Sequence, residues 1–185
     1  MEKEIARQLI HFSGIFLIFI AYIFGKHISF LISAVLLFFF IVLYFAKKEK
    51  IKLFTFLINF ADRFERKNKD YRGAIYFFFS ASTIFLLFPE EIALISIFVL
   101  CVYDSIATIT GKFLGKKKIF FSEKSLEGAI CGFVITIFFG SYLFPFQKIF
   151  LATLIGAVAE LIPKINDNIS IPFAVAFIFL LFDFF

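Results

Sequence analysis

Apolar residues are grouped along this chain in blocks of 14 to 19 residues that contain almost no charge. A water-soluble helix or strand would instead alternate apolar and polar positions with a period of about 3.6 or 2 residues. The block lengths approach the roughly 20 residues that a helix needs to cross about 30 Å of hydrocarbon. The pattern therefore predicts an all-α, polytopic membrane bundle of about seven transmembrane helices. The predicted spans are Ile10–Gly25, Ile28–Ala46, Gly73–Phe88, Ile92–Thr110, Gly128–Phe144, Ile149–Ile162 and Ile169–Phe185.

Composition agrees with a membrane environment. Hydrophobic residues make up 62% of the chain and charged residues 18%, whereas a soluble domain is roughly half apolar and about a quarter charged. The two cysteines, Cys101 and Cys131, lie inside apolar blocks, and no Cys/His cluster accompanies them. This argues against a disulfide scaffold and against a structural zinc site. Residues 1–185 are interpreted as a single membrane-embedded domain.

Positive charge is distributed unevenly between the connections. Of the 19 lysines and arginines, 17 lie at the N-terminus or in the connections after the second, fourth and sixth blocks, while Lys26 and Lys148 lie on the other side. Cytosolic connections carry an excess of Lys and Arg, so the N-terminus is predicted to be cytosolic. Topology and anionic headgroups account for the net charge of +5 without a nucleic-acid partner. The connection from Lys47 to Arg72 is either an amphipathic interfacial helix or an extension of the second span.

Among the ionisable groups within or beside the predicted spans, three carboxylates stand out: Asp104, Glu160 and Asp167. A carboxylate in a span is costly unless it faces protein, water or a cation, which makes each of them a functional candidate. The predicted topology places all three towards the cytosolic ends of separate spans. We therefore expect them to converge at one membrane depth.

A lysine-rich loop from Gly111 to Ser125 lies next to these acids. Lys124 and Ser125 precede the fifth span, where a cation, a hydroxyl and unpaired backbone donors suit an anion such as phosphate. Gly111 and Gly115 allow close backbone approach, but their spacing does not make a P-loop. Acids that hold Mg²⁺ beside lysines that neutralise phosphates suit phosphoryl or nucleotidyl transfer. Two other interpretations stay open: residues 116–118 as topology determinants, and Gly128 with Gly132 as a helix contact.

Several of these segments resemble a known family. The runs Asp104–Gly115 and Lys124–Gly128, followed by Glu160 and then Asp167-Asn168, resemble the CTP-dependent lipid-alcohol kinases, the dolichol kinase and phytol or farnesol kinase family. The run Arg7–His11 is similar to that family's N-terminal Arg-Lys-x-x-His element, with Gln8 in place of Lys. The resemblance covers most of the chain, in the expected order.

The phosphatidate cytidylyltransferases share the middle segment more distantly. They carry a later His-Gly-Gly stretch that leads to Asp-Arg, whereas this chain has Ile165–Ser170 at the corresponding place, with no His or Arg. This departure favours a kinase. A cytidylyltransferase that makes a CDP-lipid remains the alternative, and a small transporter whose carboxylates carry protons or cations is a further one.

The resemblance implies a membrane kinase that transfers the γ-phosphoryl group of CTP to an isoprenoid alcohol such as dolichol, another polyprenol, phytol, farnesol or geranylgeraniol. It implies catalysis by Asp104, Lys124, Glu160 and Asp167, with Mg²⁺ on the three acids. The expected partners are the alcohol, CTP and lipids of a prokaryotic cell membrane, and a homodimer is left open. The resemblance also assigns nucleotide and phosphate binding to Arg7, Gly111, Lys112, Gly115, Lys124, Ser125, Gly128 and Asn168, and the substrate hydroxyl to His11 and Glu127.

Overall fold

The structure, a computed structural model, describes residues 2–62, 71–119, 122, 124–162 and 165–182, and of residues 2–6 only the backbone. Within these ranges every regular element is a helix, as the sequence predicts. The cations counted at positions 63–70 and 164, and the end of the last predicted span at 183–185, lie outside the described residues.

Ten α-helices follow one another in the described part of the chain. Two irregular helical segments accompany them: a 3₁₀ turn at Lys52–Phe54 and a π-helical turn at Leu100–Asp104 that joins two α-helices. The α-helices are α1 Glu2–Phe12, α2 Ile15–Phe24, α3 Lys26–Lys48, α4 Thr55–Ala61, α5 Arg72–Leu87, α6 Glu90–Val99, α7 Ser105–Leu114, α8 Leu126–Gly140, α9 Phe146–Ala159 and α10 Asp167–Leu181.

Three helical stretches are long and apolar enough to cross a membrane: Arg7–Phe24, Lys26–Lys48 and Glu90–Leu114. Helices α5, α8, α9 and α10 are also apolar, but they have only 14 to 16 residues each. At a rise of 1.5 Å per residue, such helices extend roughly 21 to 24 Å, less than the hydrocarbon thickness. The prediction of apolar membrane helices is therefore supported, while the number seven stays a prediction.

The stretch Glu90–Leu114 forms the centre of the bundle. Within its most apolar 18-residue window 78% of the residues are buried, compared with 17% in α3. A helix that is apolar on all faces must be surrounded by other helices or by lipid, and here α1, α2, α5, α8, α9 and α10 pack around it. The π-helical turn ends at Asp104, so this carboxylate lies deep within the bundle with α7 continuing beyond it.

Helices α2 and α3 form an antiparallel hairpin at one side of the bundle. The turn is made by Gly25, whose φ of +84° lies in the region that side chains disfavour. After α3 ends at Lys48, the chain turns and α4 begins as a separate helix at Thr55. The connection therefore does not begin as a straight extension of α3, and Leu53 and Phe56 on it are exposed. Arg63 and Arg66, which the interfacial-helix interpretation also used, lie outside the described residues.

Candidate active site

Three separate elements bring the predicted acids together. Asp104 ends the π-helical turn, Glu160 follows α9, and Asp167 is the first residue of α10. One carboxylate oxygen from each lies within 4.8 Å of the others. Asp104 and Glu160 are buried, and Asp167 is half-buried. Carboxylate oxygens at this separation form a donor set of the kind that Mg²⁺ prefers.

Lys124 joins two of these acids. Its Nζ donates to Glu160 Oε1 at 2.7 Å and to Asp167 Oδ2 at 2.6 Å. Burial alone would lower the pKa of the Lys124 ammonium, but the carboxylates of Glu160, Asp104 and Asp167 outweigh burial and raise that pKa above its usual range. The ammonium therefore stays charged throughout the neutral pH range. Because an ammonium has three donors, a third remains for a phosphate oxygen.

Glu160 is held from both sides. Its Oε2 accepts a hydrogen bond from the Tyr103 hydroxyl at 2.7 Å, while Oε1 accepts from Lys124. The Glu160 side chain is only 1% exposed. Since both oxygens are engaged, the geometry favours Glu160 as the residue that positions Lys124, and it favours Asp104 and Asp167 for direct contact with a cation.

His11 connects α1 to α7 and α10. Its Nε2 lies 2.6 Å from Asn168 Oδ1 and 3.8 Å from Asp104 Oδ2, and its Nδ1 lies 3.2 Å from the Ser105 hydroxyl. The Asn168 amide nitrogen donates to the Gly73 carbonyl at 3.0 Å, so the amide oxygen faces His11 and Nε2 is assigned as the donor. Both ring nitrogens and both ends of the Asn168 side chain are therefore engaged within the protein.

The loop before α8 is organised by side-chain contacts to its own backbone. Ser125 caps α8, because its hydroxyl accepts from the backbone N–H of Gly128 at 3.0 Å. The Glu127 carboxylate accepts from the backbone N–H groups of Lys116 and Lys117. Glu127 therefore stabilises the conformation of the loop. Among the described residues, no contact of Glu127 supports its predicted role at a substrate hydroxyl.

The predicted phosphate-site glycines form a close contact between α7 and α8. A Cβ on Gly128 would lie 2.5 Å from the Ala107 carbonyl oxygen and 2.8 Å from Gly111 Cα. A Cβ on Gly115 would meet the Ser125 side chain. The helix-contact interpretation of Gly128 with Gly132 therefore fits the structure, because a Cβ on Gly132 would also lie close to α7, 2.9 Å from Ala107 Cβ. Gly115 has a similar close contact, and together these contacts set where Lys124 and Ser125 lie.

This contact makes a direct prediction about stability. Gly128→Ala is expected to lower the free energy of unfolding by about 1–3 kcal/mol, since the added methyl overlaps backbone atoms that cannot move aside. A thermal melt in detergent measures the change as a lower Tm. The control is Gly73→Ala, because a Cβ on Gly73 meets nothing within 4 Å. Equal Tm values for the two variants would contradict the close α7–α8 contact.

One cavity of about 1540 Å³ joins the polar centre to an apolar region. Most of the remaining wall is apolar and is formed by residues of α2, α3, α4 and α5, although Ser13, Arg72 and Asn166 also line the cavity. Glu160, Glu127, Gly115 and Gly128 are not among the residues that line it. The charged and polar residues of its wall that belong to the predicted site are Arg7, His11, Asp104, Lys112, Lys124, Ser125, Asp167 and Asn168, together with Gly111.

Sequence reasoning missed three polar residues that complete this centre. Tyr103 holds Glu160, Ser105 lies against His11, and Thr108 donates to Asp104 Oδ1 at 3.5 Å. All three lie close to Asp104 in the sequence, within its apolar span. Polar side chains so near a carboxylate in an apolar span were the signal that could have identified them. The partners of Tyr103 and Ser105 belong to other elements of the chain, and the sequence alone does not pair them.

The fold and the site define an all-helical protein with apolar, membrane-length helices and a buried carboxylate–lysine centre. The chain is 35% identical over 189 residues to the uncharacterized protein MJ1137 of Methanocaldococcus jannaschii, an alignment that covers 95% of this chain and 92% of that protein. The chain therefore belongs to the same family as MJ1137. No family model matches the sequence, and no solved structure matches it.

Proposed function

We propose that this protein is a membrane kinase that transfers the γ-phosphoryl group of CTP to the hydroxyl of an isoprenoid alcohol. One observation carries the proposal: a single cavity has Asp104, Asp167 and Lys124 in its polar part and apolar side chains over most of the remaining wall. The polar part suits the phosphates of a phosphoryl donor, and the apolar part suits the hydrocarbon chain of an acceptor. The choice of CTP and of a prenol comes from the resemblance of residues 104–128 and 160–168 to the lipid-alcohol kinases.

In the proposed reaction, the alcohol oxygen attacks the γ-phosphorus and the bond from that phosphorus to the β–γ bridging oxygen breaks. CDP leaves, the prenyl monophosphate forms, and the hydroxyl proton is released to solvent. Lys124 offers its third donor to the charge that spreads over the γ-phosphate oxygens. Asp104 and Asp167 would hold Mg²⁺, which when bound supplies positive charge at the phosphates and lowers the proton affinity of the acceptor hydroxyl.

His11 and Asn168 have a supporting role in this proposal. Their mutual hydrogen bond holds α1 against α10 beside Asp104. The part of the site that receives the acceptor hydroxyl is therefore held in place by two helices. Arg7 and Lys112 line the same cavity and add positive charge for the nucleotide phosphates. Glu160 acts through Lys124.

A parallel radiolabel experiment tests the function. Membranes that contain the protein receive a panel of prenols and phosphatidate, with CTP labelled either on the α- or on the γ-phosphate. Label that enters prenol from the γ-position alone is the expected result. Label that enters lipid from the α-position would identify a cytidylyltransferase instead, and solute uptake into liposomes without CTP consumption would identify a transporter.

We propose further that the bundle crosses a prokaryotic cell membrane seven times, with the N-terminus and the open end of the site at the cytosolic face. The asymmetry of Lys and Arg between the connections supports this orientation. The short helices α8, α9 and α10 are accommodated by polar flanking residues and by local thinning of the bilayer.

Cysteine accessibility tests this orientation. In a background with Cys101 and Cys131 replaced by alanine, Lys117→Cys is expected to react with a membrane-impermeant maleimide only in inside-out vesicles. Tyr142→Cys is expected to react only from the outside of intact cells. Both positions are exposed, in the α7–α8 loop and in the turn after α8. Labelling of both cysteines from one side would overturn the proposed topology.

A further inference from the structure

The apolar part of the cavity has a defined course along α3. Ile32, Leu36, Phe39, Phe40 and Leu43 all line it, and their spacing places them on one helical face. Ile32 and Leu43 are eleven residues apart, so this lined face is about 16 Å long. We call this part of the cavity the apolar arm.

The hairpin geometry shows the direction in which the apolar arm runs. Ile20 on α2 and Ile32 on α3 both line it, and they lie on opposite sides of the turn at Gly25. Residues at similar sequence distances from the turn of an antiparallel hairpin lie at similar positions along the hairpin axis. This pair therefore marks one end of the arm. His11, nine residues before Ile20 on the adjoining α1 segment, marks the polar end beside Asp104. The arm thus leads from the carboxylates towards the turn between α2 and α3.

Helix α4 forms part of the wall near the other end of α3. Leu57 and Phe60 line the cavity from α4. Asp62, directly after α4, accepts from Lys47 Nζ at 2.7 Å and from the Tyr71 hydroxyl at 2.6 Å. These contacts attach α4 to α3 and to the start of α5. The wall is therefore fixed by a charged contact between three elements, in addition to apolar packing.

The cavity meets the molecular surface at polar residues, where Arg72, Lys112 and Asn166 are exposed, and also at apolar residues. Ile10, Phe16 and Phe60 line it and yet are 50%, 65% and 54% exposed. These residues belong to α1, α2 and α4, so the opening lies between that pair of helices and α4. An opening bordered by exposed apolar side chains suits entry from hydrocarbon and not from water.

We infer that the apolar arm is the binding site for the hydrocarbon tail of the acceptor, and that the α3 face at Leu36 limits which tails fit. This inference rests on the proposed function, because the tail is assigned to the alcohol whose hydroxyl reaches Asp104. The acceptor enters from the bilayer past Ile10, Phe16 and Phe60, and the first part of its chain lies along α2, α3 and α5.

Adjacent positions on α3 provide a matched test of the tail site. Leu36→Trp fills the arm, whereas Val35→Trp adds the same side chain at a neighbouring position that is 66% exposed and outside the cavity lining. With γ-labelled CTP, Leu36→Trp is expected to lower transfer to a C20 prenol by at least about tenfold relative to a C5 prenol. Val35→Trp should leave the ratio between the two acceptors unchanged. An unchanged ratio in both variants would overturn the inference.

Photolabelling keeps the test independent of catalysis and of the folding of Leu36→Trp. The wild-type protein is irradiated with a C15 prenol, which is short enough to lie within the arm and carries a diazirine at the end opposite the hydroxyl, and the adducts are mapped by mass spectrometry. Adducts on the α2 and α3 residues of the arm that unlabelled prenol removes are expected. Adducts confined to outward-facing residues such as Ile130 on α8, or adducts that unlabelled prenol does not remove, would contradict the tail site.

The two experiments separate this inference from the proposed function. Competed adducts in the arm without any γ-label in prenol would support the tail site and reject the kinase. Transfer of γ-label without adducts in the arm would support the kinase and reject the tail site.

Discussion

A Lys124→Ala variant is expected to lose transfer of the γ-phosphoryl group by at least about 100-fold, which is the usual effect of removing one preorganised donor to transition-state charge. The second consequence is structural. Removal of the ammonium leaves Glu160 Oε1 and Asp167 Oδ2 without the partner that lies 2.7 and 2.6 Å away. Glu160 is only 1% exposed, and a buried carboxylate left without its cationic partner destabilises the fold. The measurements are γ-label incorporation into prenol and the Tm in detergent.

Two further variants test whether Lys124→Ala loses transfer and stability for separate reasons. Lys118→Ala removes an exposed lysine from the same loop and should leave both measurements near those of the wild type. Lys124→Ala combined with Glu160→Gln removes one of the two stranded charges, so the Tm is expected to recover in part while transfer stays lost. Wild-type transfer in Lys124→Ala would remove this residue from the site.

An Asp104→Asn variant is expected to lose transfer to a similar extent while its shape stays nearly the same. The substitution removes one of the two carboxylates that present oxygens to both the cavity and the acid cluster. A carboxamide is a much weaker Mg²⁺ ligand than a carboxylate. We therefore also expect MgCl₂ to raise the Tm of the wild-type protein but not the Tm of the Asp104→Asn variant. This thermal shift reports cation binding without any turnover.

The control for Asp104→Asn is Glu91→Gln, at the other end of the same long helix. Glu91 lies 3.7 Å from Lys148 and is far more exposed than Asp104. Its replacement should change neither transfer nor the Mg²⁺-dependent rise in Tm. If Asp104→Asn retains the Mg²⁺ shift, the cation is held elsewhere, and Asp104 then has no metal role.

Sequence patterns located some helices accurately and others less so. The predicted span Gly73–Phe88 differs from α5 by one residue at each end, because a charged or proline residue flanks each side. Ile10–Gly25 was less accurate, since the chain makes a turn at Ser13 and Gly14 between α1 and α2. Gly14 is buried there beside Phe77 and Cys101, and those neighbours come from α5 and from the π-helical turn.

The three carboxylates show how much of the candidate site can be predicted from the sequence. Ionisable residues within apolar blocks are expensive, so Asp104, Glu160 and Asp167 could be selected from the sequence without a structure. The same argument does not distinguish their roles. Only the distances show that Glu160 holds Lys124 together with Tyr103, while Asp104 and Asp167 face the cavity.

The sequence by itself determined the apolar character of the helices, the all-helical class and the three carboxylates of the candidate site, because long apolar blocks and rare internal charges are local properties. The tertiary structure decided the pairing of His11 with Asn168, the contact of Gly128 with α7, and the course of the apolar arm. His11 and Asn168 are 157 residues apart. Contacts of this kind depend on how helices pack against each other, and a one-dimensional pattern of hydropathy contains no record of which faces meet.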